Sequence, residues 1–330
     1  MRRRCAIVAA GLTLLAASCA DADKDGGKVE SKNATSIAFF GFAKANSFTA
    51  ATFEGVRQQA GKEGGKAEFF DPGFDAQAQV RQLQDAITAK RFGVFVVQAV
   101  DGAAVVPALR TAVRNGITVV VQFTPVGTRY DTAEPQVPGT ISLVDVPVRN
   151  GERLGQLGAA ACKSAKPCKV AYLEGMRALP LDNARTKAVV GALKRTPGTQ
   201  VVAQVEGGYT RDTGRKAMQD VLQAHPDVNV VIGASQALLG AESAAKGKKV
   251  VYVGNGASRQ AVAAVREGRW HGVPYLPVRT AGAKAAELGL AKARGKSVPA
   301  ATEISSLAPN GGVVTAKEVA AFGITGEYDE

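Results

Sequence analysis

From Ser36 onward, short β-branched or aromatic runs alternate with longer amphipathic ones, and this alternation constrains the fold more than any other feature. The first set of strand-like runs is SIAFFGF from Ser36, KAEFFD from Lys66, GVFVVQAV from Gly93, ITVVVQFT from Ile117 and TISLVDV from Thr140. The second set is KVAYLEG from Lys169, TQVVAQVEG from Thr199, VNVVIGAS from Val228, KVVYVGNG from Lys249 and HGVPYLPV from His271. Near-continuous apolar runs fit strands buried on both faces of a parallel sheet. The intervening segments read as helices. Asp75 is placed to cap a run carrying Val80, Leu83 and Ile87, and Thr210 to cap one carrying Met218, Val221 and Leu222. Pro107 sits where a first helical turn tolerates proline. Gly64, Gly93, Gly116, Pro226 and Gly247 read as helix stops. Strand-helix alternation this regular implies right-handed βαβ units in an α/β fold with doubly wound parallel sheets. Ten strands are too many for one comfortable sheet, and 330 residues suit about two domains, so two lobes of five strands each are expected.

Composition narrows the function classes. Hydrophobic residues make up 46% and charged residues 21%, as in a folded globular chain, which excludes collagen, coiled coil and wholesale disorder. The formal net charge is +12, but no cluster of four or more basic residues occurs. The excess is read as a basic surface beside an anionic envelope, with no nucleic-acid partner. Arg2, Arg3 and Arg4, then an apolar stretch from Cys5 to Ala17, describe an export signal over residues 1–18. Its end, Leu15-Ala16-Ala17-Ser18-Cys19, resembles a bacterial lipobox, with Ala16 where leucine is usual. That resemblance implies lipidation of Cys19 and a membrane anchor at the outer face of the cytoplasmic membrane or in the periplasm. Residues 19–35 are small and polar and read as a flexible tether. Asp21, Asp23, Asp25 and Gly26 match the start of a calcium loop, but Lys32 stands at the twelfth position where a bidentate glutamate is needed. In an exported chain Cys162 and Cys168, six apart across a helix end and a strand start, are expected to form a disulfide.

Catalytic and nucleotide motifs fail on inspection. Gly254-Asn255-Gly256-Ala257-Ser258-Arg259 carries two glycines of a dinucleotide loop, but Arg259 takes the place of the third. Gly295-Lys296-Ser297 lacks the leading glycine of a P-loop, where Leu290 stands. Gly233-Ala234-Ser235-Gln236-Ala237 resembles a nucleophile elbow, with His271 and Glu242 or Glu267 as the only partners for a Ser235 hydrolase. His271 is read instead as a packing residue beside Trp270, and His225 as a helix-end residue before Pro226. No catalytic residue, metal or cofactor is expected.

In such folds ligands bind beyond the carboxyl ends of the strands, so the segments to read are 42–48, 71–75, 98–103, 122–136, 175–184, 206–212, 235–240 and 254–258. Their residues, in order, resemble a known family. Asn46-Ser47-Phe48 follows the first strand, and DPGFDAQAQVRQLQDAI runs from Asp71. Asp145 precedes Gly151, and Arg185 stands four residues before Val189. AQVEGGYTRDTGRKAMQDVL from Ala203, HPDVNVVIGAS from His225 and GGVVTAKEVAAF from Gly311 complete the pattern. From Ser36 to about Phe322 the chain resembles a ribose-type (type I) periplasmic substrate-binding protein of an ABC importer. That resemblance implies two lobes joined by a three-crossing hinge near Val144-Asp145, Tyr275-Leu276 and Pro309-Asn310. The N-lobe would comprise 36–144 plus 276–309 and the C-lobe 145–275 plus 310–330.

The resemblance places Asn46, Phe48, Gln122, Arg185, Tyr209, Ser235, Asn255 and Tyr275 in the ligand cleft. Aromatic rings cover the apolar faces of a sugar, while planar Arg and amide groups grip its hydroxyls. Two usual carboxylates of the family are here Gln122 and Asn255, its usual Asn-Asp is Ser235-Gln236, and Arg185 is left without those acidic partners. Amides donate as well as accept, so the expected ligand is a sugar, sugar acid or nucleoside-like molecule carrying acceptors. The expected partners are this ligand, an ABC permease and the membrane through the lipid anchor, with the chain a monomer. Rival readings are a sensory binding protein, a repressor core that would need a helix-turn-helix where the export signal stands, and the Ser235 hydrolase.

Overall fold

The computed structural model describes residues 35–256 and 258–330. The export signal, Cys19, nearly all of the tether and the calcium-like Asp21–Lys32 stretch lie outside the described residues. No described helix is long and apolar enough to cross a membrane.

Two six-stranded sheets carry the fold. The first is built from β1 (Ser36–Phe40), β2 (Lys66–Phe70), β3 (Val94–Val97), β4 (Thr118–Phe123), β5 (Ile141–Val144) and β11 (Ala301–Glu303), in the order β11-β5-β4-β3-β1-β2. All of its pairings are parallel. The second is built from β6 (Cys168–Glu174), β7 (Thr199–Glu206), β8 (Val230–Ala234), β9 (Val251–Asn255), β10 (Trp270–Pro274) and β12 (Val313–Thr315), in the order β12-β10-β9-β8-β6-β7. Only its β10–β12 edge is antiparallel. Every residue of β3 and β8 is buried, as the uninterrupted apolar runs require. Each of the ten predicted strands forms. β11 and β12 were not foreseen, since three residues leave no periodicity to read.

The chain passes from the first sheet to the second after β5, back after β10, and again to the second between β11 and β12. Two short 3₁₀ turns, Ile304–Leu307 and Pro309–Gly312, make the last passage.

Helices cover both faces. α1 (Ser47–Lys62), α2 (Ala76–Ala89), α3 (Val106–Arg114) and α9 (Val278–Ala293) lie on the first sheet. α4 (Pro147–Ala161), α5 (Pro180–Lys194), α6 (Arg211–Ala224), α7 (Ser235–Ala244), α8 (Arg259–Arg266) and α10 (Ala316–Phe322) belong to the second. The predicted caps hold: Asp75 accepts from Gln77 N and Ala78 N, and Thr210 from Thr213 N. Pro107 falls in the first turn of α3. Gly93 does not end α2, which stops at Ala89 with Lys90 in left-handed backbone (φ 52°). Cys162 and Cys168 are disulfide-bonded, with Cα atoms 5.3 Å apart, tying the end of α4 to the start of β6.

Glycines let paired helices touch backbone to backbone. A methyl on Gly55 of α1 would collide with the Arg279 carbonyl of α9, and one on Gly282 of α9 with Thr52. Gly214 of α6 and Gly240 of α7 dock the same way, against Ala237 and Arg211. These contacts fix where the first turns of α1 and α7 point, and both point at the cleft.

Candidate ligand-binding cleft

Every strand carrying a cleft loop delivers it at its carboxyl end, so the loops converge between the sheets. They line a pocket that is partly open to solvent. The first-sheet wall is aromatic. Phe42 follows β1, Phe74 follows β2, Phe48 sits in the first turn of α1, and Phe123 ends β4. Phe48 meets Phe123 edge-on with centroids 4.7 Å apart, and Phe42 packs against Phe74 and Phe123 at 6.0 Å.

Two of these rings are held by unusual backbone. Phe74 has φ 64° and Phe123 φ 66°, a region bulky residues rarely enter. At Phe123 the Thr124 N–H bonds the Gln122 carbonyl at 2.8 Å, closing a three-residue γ-turn of the rarer, strained hand. Such conformations cost about 1–3 kcal/mol each and persist where the surroundings over-determine them. Here they aim two phenyl rings into the cavity.

The second-sheet wall is polar. Arg185 of α5 is buried, yet it lines the cavity. Its Nε donates to Asn150 Oδ1 at 2.9 Å and its Nη1 to Asp182 Oδ1 at 2.6 Å and Tyr209 Oη at 3.3 Å. Tyr209 donates to the same Asp182 oxygen at 2.6 Å, and the Met176 N–H takes the other at 2.8 Å. Asn150 Nδ2 in turn donates to Asn255 Oδ1 at 3.2 Å. Burial works against the Arg185 charge, but Tyr209, Asp182, Tyr172 and Asp145 outweigh it and raise the pKa. Burial pushes Asp182 and Tyr209 up as well, Asp182 against the pull of Arg185. Arg185 therefore has an acid partner after all, one helical turn earlier, which the family-based reading overlooked.

Five of the eight expected residues line the cavity: Asn46, Phe48, Arg185, Tyr209 and Asn255. The other three lie behind it. Gln122 is buried beneath the wall, its Oε1 accepting from Gln98 Nε2 at 2.8 Å, because the γ-turn presents Phe123 in its place. Ser235 is fully buried as the first residue of α7 and donates to Glu330 Oε1 at 3.0 Å, with Gln236 Oε1 at 3.5 Å. Tyr275 is spent where the chain returns to the first sheet after β10, donating to the Thr325 carbonyl at 2.9 Å, and burial pushes its pKa up to about 12. The reading missed Phe42, Phe74, Phe123, Gln236, Gly256 and Tyr328, with Leu179, Leu181 and Leu276. Phe42, Phe74 and Phe123 lie in the strand-end segments and could have been found by reading those segments for rings. Tyr328 had no signal.

The amides have a common polarity. Asn46 Oδ1 is occupied by the N–H and hydroxyl of Thr49, Asn255 Oδ1 by Asn150, and Gln236 Oε1 lies nearest Ser235. These bonds leave the amide N–H groups of all three side chains unused, and Arg185 can only donate.

Residues 37–297 match the family model described as a periplasmic binding protein domain. The chain belongs to the periplasmic binding protein family. This binding protein is 26% identical over 227 residues to the ribose import binding protein of Bacillus subtilis (strain 168), a stretch that covers 67% of this chain and 70% of that one. Its fold is that of a Caulobacter myo-inositol binding protein (TM-score 0.74, 16% identity, 89% of this chain and 98% of that one). The arabinose transporter binding component of Shewanella sp. ANA-3 is similar too (TM-score 0.71, 20% identity, 87% and 93%). These likenesses place it in the type I fold, and the Bacillus relative is by name an import binding protein. Ser235, the candidate nucleophile, has its hydroxyl directed to a carboxylate and not to a histidine.

Proposed function

We propose that this chain captures a sugar or sugar-like small polar ligand between its two lobes, as the extracytoplasmic binding lipoprotein of an ABC uptake system. The lobes are taken as 36–144 plus 276–309 and 145–275 plus 310–330. The observation that carries the reading is the division of the cavity. Rings from the first sheet can cover the C–H face of a ligand, while Arg185, Asn46, Asn255 and Gln236 offer donors to its edge. The relatives support the class, since those named bind or import ribose, myo-inositol and arabinose. The donor-rich rim favours a ligand with oxygen or ring-nitrogen acceptors. Arg185 already faces Asp182, so the rim favours a neutral sugar derivative or nucleoside over a free sugar acid.

A thermal-shift screen against sugars, polyols, sugar acids, nucleosides and amino acids tests this. A ligand at 100-fold its Kd stabilises by about 2.7 kcal/mol. The expected result is one saturable class of hit that weakens at least about tenfold in Asn255→Ala, the loss of a cleft hydrogen bond. Stabilisation by amino acids alone, or by none of these classes, would sink the proposal.

A further inference from the structure

The segment 324–330, which follows α10, is bonded to both lobes. Ile324 is buried in the core of the second sheet, and the Thr325 carbonyl accepts from Tyr275 at the hinge. Gly326 lies against the backbone of Ser258 and Arg259, with no room for a side chain. The Arg259 N–H donates to the Tyr328 carbonyl at 2.8 Å, and the Arg259 guanidinium pairs with Asp329. These contacts hold the segment to α8.

Its other contacts reach across. The Glu327 carboxylate accepts from Arg279 N at 2.7 Å, from Thr280 N at 3.1 Å and from the Thr280 hydroxyl. It thereby caps α9 on the first sheet, where a helix N-terminus favours an anion. The Tyr328 ring is buried in the apolar cluster of the first sheet, 6.3 Å from the Phe48 ring and edge-on to it, and lines the cavity. The Glu330 carboxylate joins the two lobes directly. It accepts from Ser47 Oγ of α1 at 3.2 Å and from Ser235 Oγ of α7 at 3.0 Å, with the Ser258 hydroxyl ahead of α8 as a third donor.

Separating the lobes would break Glu330 from Ser47 or from Ser235. It would also pull Tyr328 out of the first-sheet cluster or its carbonyl off Arg259. We propose that segment 324–330 is an intramolecular latch that holds the lobes closed without ligand, with Tyr328 and Glu330 as its gripping side chains. The hinge then starts from a closed state, and the latch sets how often the cleft opens. This goes beyond ligand capture and does not depend on the ligand's class.

The test uses the ligand-free full chain with spectroscopic labels at Lys44 and Asp212, exposed positions on opposite rims of the cleft. The wild-type chain should show one short interlabel distance. Tyr328→Ala combined with Glu330→Ala should raise a second, longer population by at least about tenfold, the scale of a lost charged hydrogen bond and buried ring. A wild-type chain that already samples both distances, or a variant that keeps the single short one, overturns the latch. If circular dichroism shows that this variant has unfolded, Ser47→Ala with Ser235→Ala removes the receiving hydroxyls and leaves the segment intact. The same longer population is expected there, and the unchanged short distance would again overturn the proposal.

Discussion

Arg185 shows how one buried residue can serve both the fold and the ligand. Its guanidinium is almost wholly enclosed, and three protein partners take its Nε and Nη1 protons. The pair with Asp182 is buried on both sides, with side-chain exposures of 5% and 2%, so the carboxylate cannot fall back on water. Removing one member of such a pair typically costs about 3–5 kcal/mol, because the charge left behind is uncompensated. Arg185→Ala is therefore expected to destabilise the ligand-free protein by that amount in chemical denaturation. Asp182→Asn with Arg185→Gln, which removes both charges, should cost clearly less. Equal losses in the two variants would mean that packing, not the lone carboxylate, sets the cost. Phe123 carries a cost of another kind. Its ring reaches the cavity because its own backbone, at the centre of the γ-turn, takes a positive φ.

At the scale of elements, the site depends on helices docked closely enough to fix the direction of their first turns. Gly240 of α7 lies against the Arg211 carbonyl of α6, and Gly282 of α9 against Thr52 of α1. An added methyl must push the helices apart, and overpacking of this kind costs about 1–3 kcal/mol. Gly240→Ala should lose that much stability. Gly61→Ala in the last turn of α1, where a methyl meets nothing within 4 Å, should gain about 0.5–1 kcal/mol from helix propensity. A Gly240→Ala variant as stable as wild type would show that α6 and α7 can separate at no cost. The contacts that place Ser235 would then be looser than the geometry implies. Strand ends follow the same logic: the parallel order of both sheets puts all the loops that matter on one side.

For the whole molecule, the two sheets flank one cleft and the chain passes between them three times, and the proposed capture of a ligand would close the lobes by rotation about those passages. Tyr275 stands at the middle passage, its N–H donating to the Gly312 carbonyl at 2.6 Å and its hydroxyl to the Thr325 carbonyl, so it ties two of the passages to the 324–330 segment. Where the molecule works is a proposal from its first residues. Acyl carbons on Cys19 at about 0.8 kcal/mol each would hold it on a membrane surface. Cys19→Ser is expected to shift the exported chain from the membrane pellet to the soluble fraction. Wild type and variant distributing alike would remove the anchor from the account.

The sequence alone determined the lobed α/β fold, because ten apolar runs with capped helices between them leave parallel sheets as the solution that buries both faces. It also located the strand-end segments from which most of the cavity is built, and Asn46, Phe48, Arg185, Tyr209 and Asn255 among their residues. Those follow from local rules, since period, caps and chain order act over a few residues. Only the tertiary structure decided that Phe123 displaces Gln122 from the wall and that Ser235 turns to Glu330. Each depends on a backbone twist or on a partner up to 95 residues away, and nothing in the local pattern encodes which distant group will arrive there. The path of 324–330 across the cleft is the extreme case. Its composition is that of an ordinary loop, and its meaning comes from the two lobes it touches.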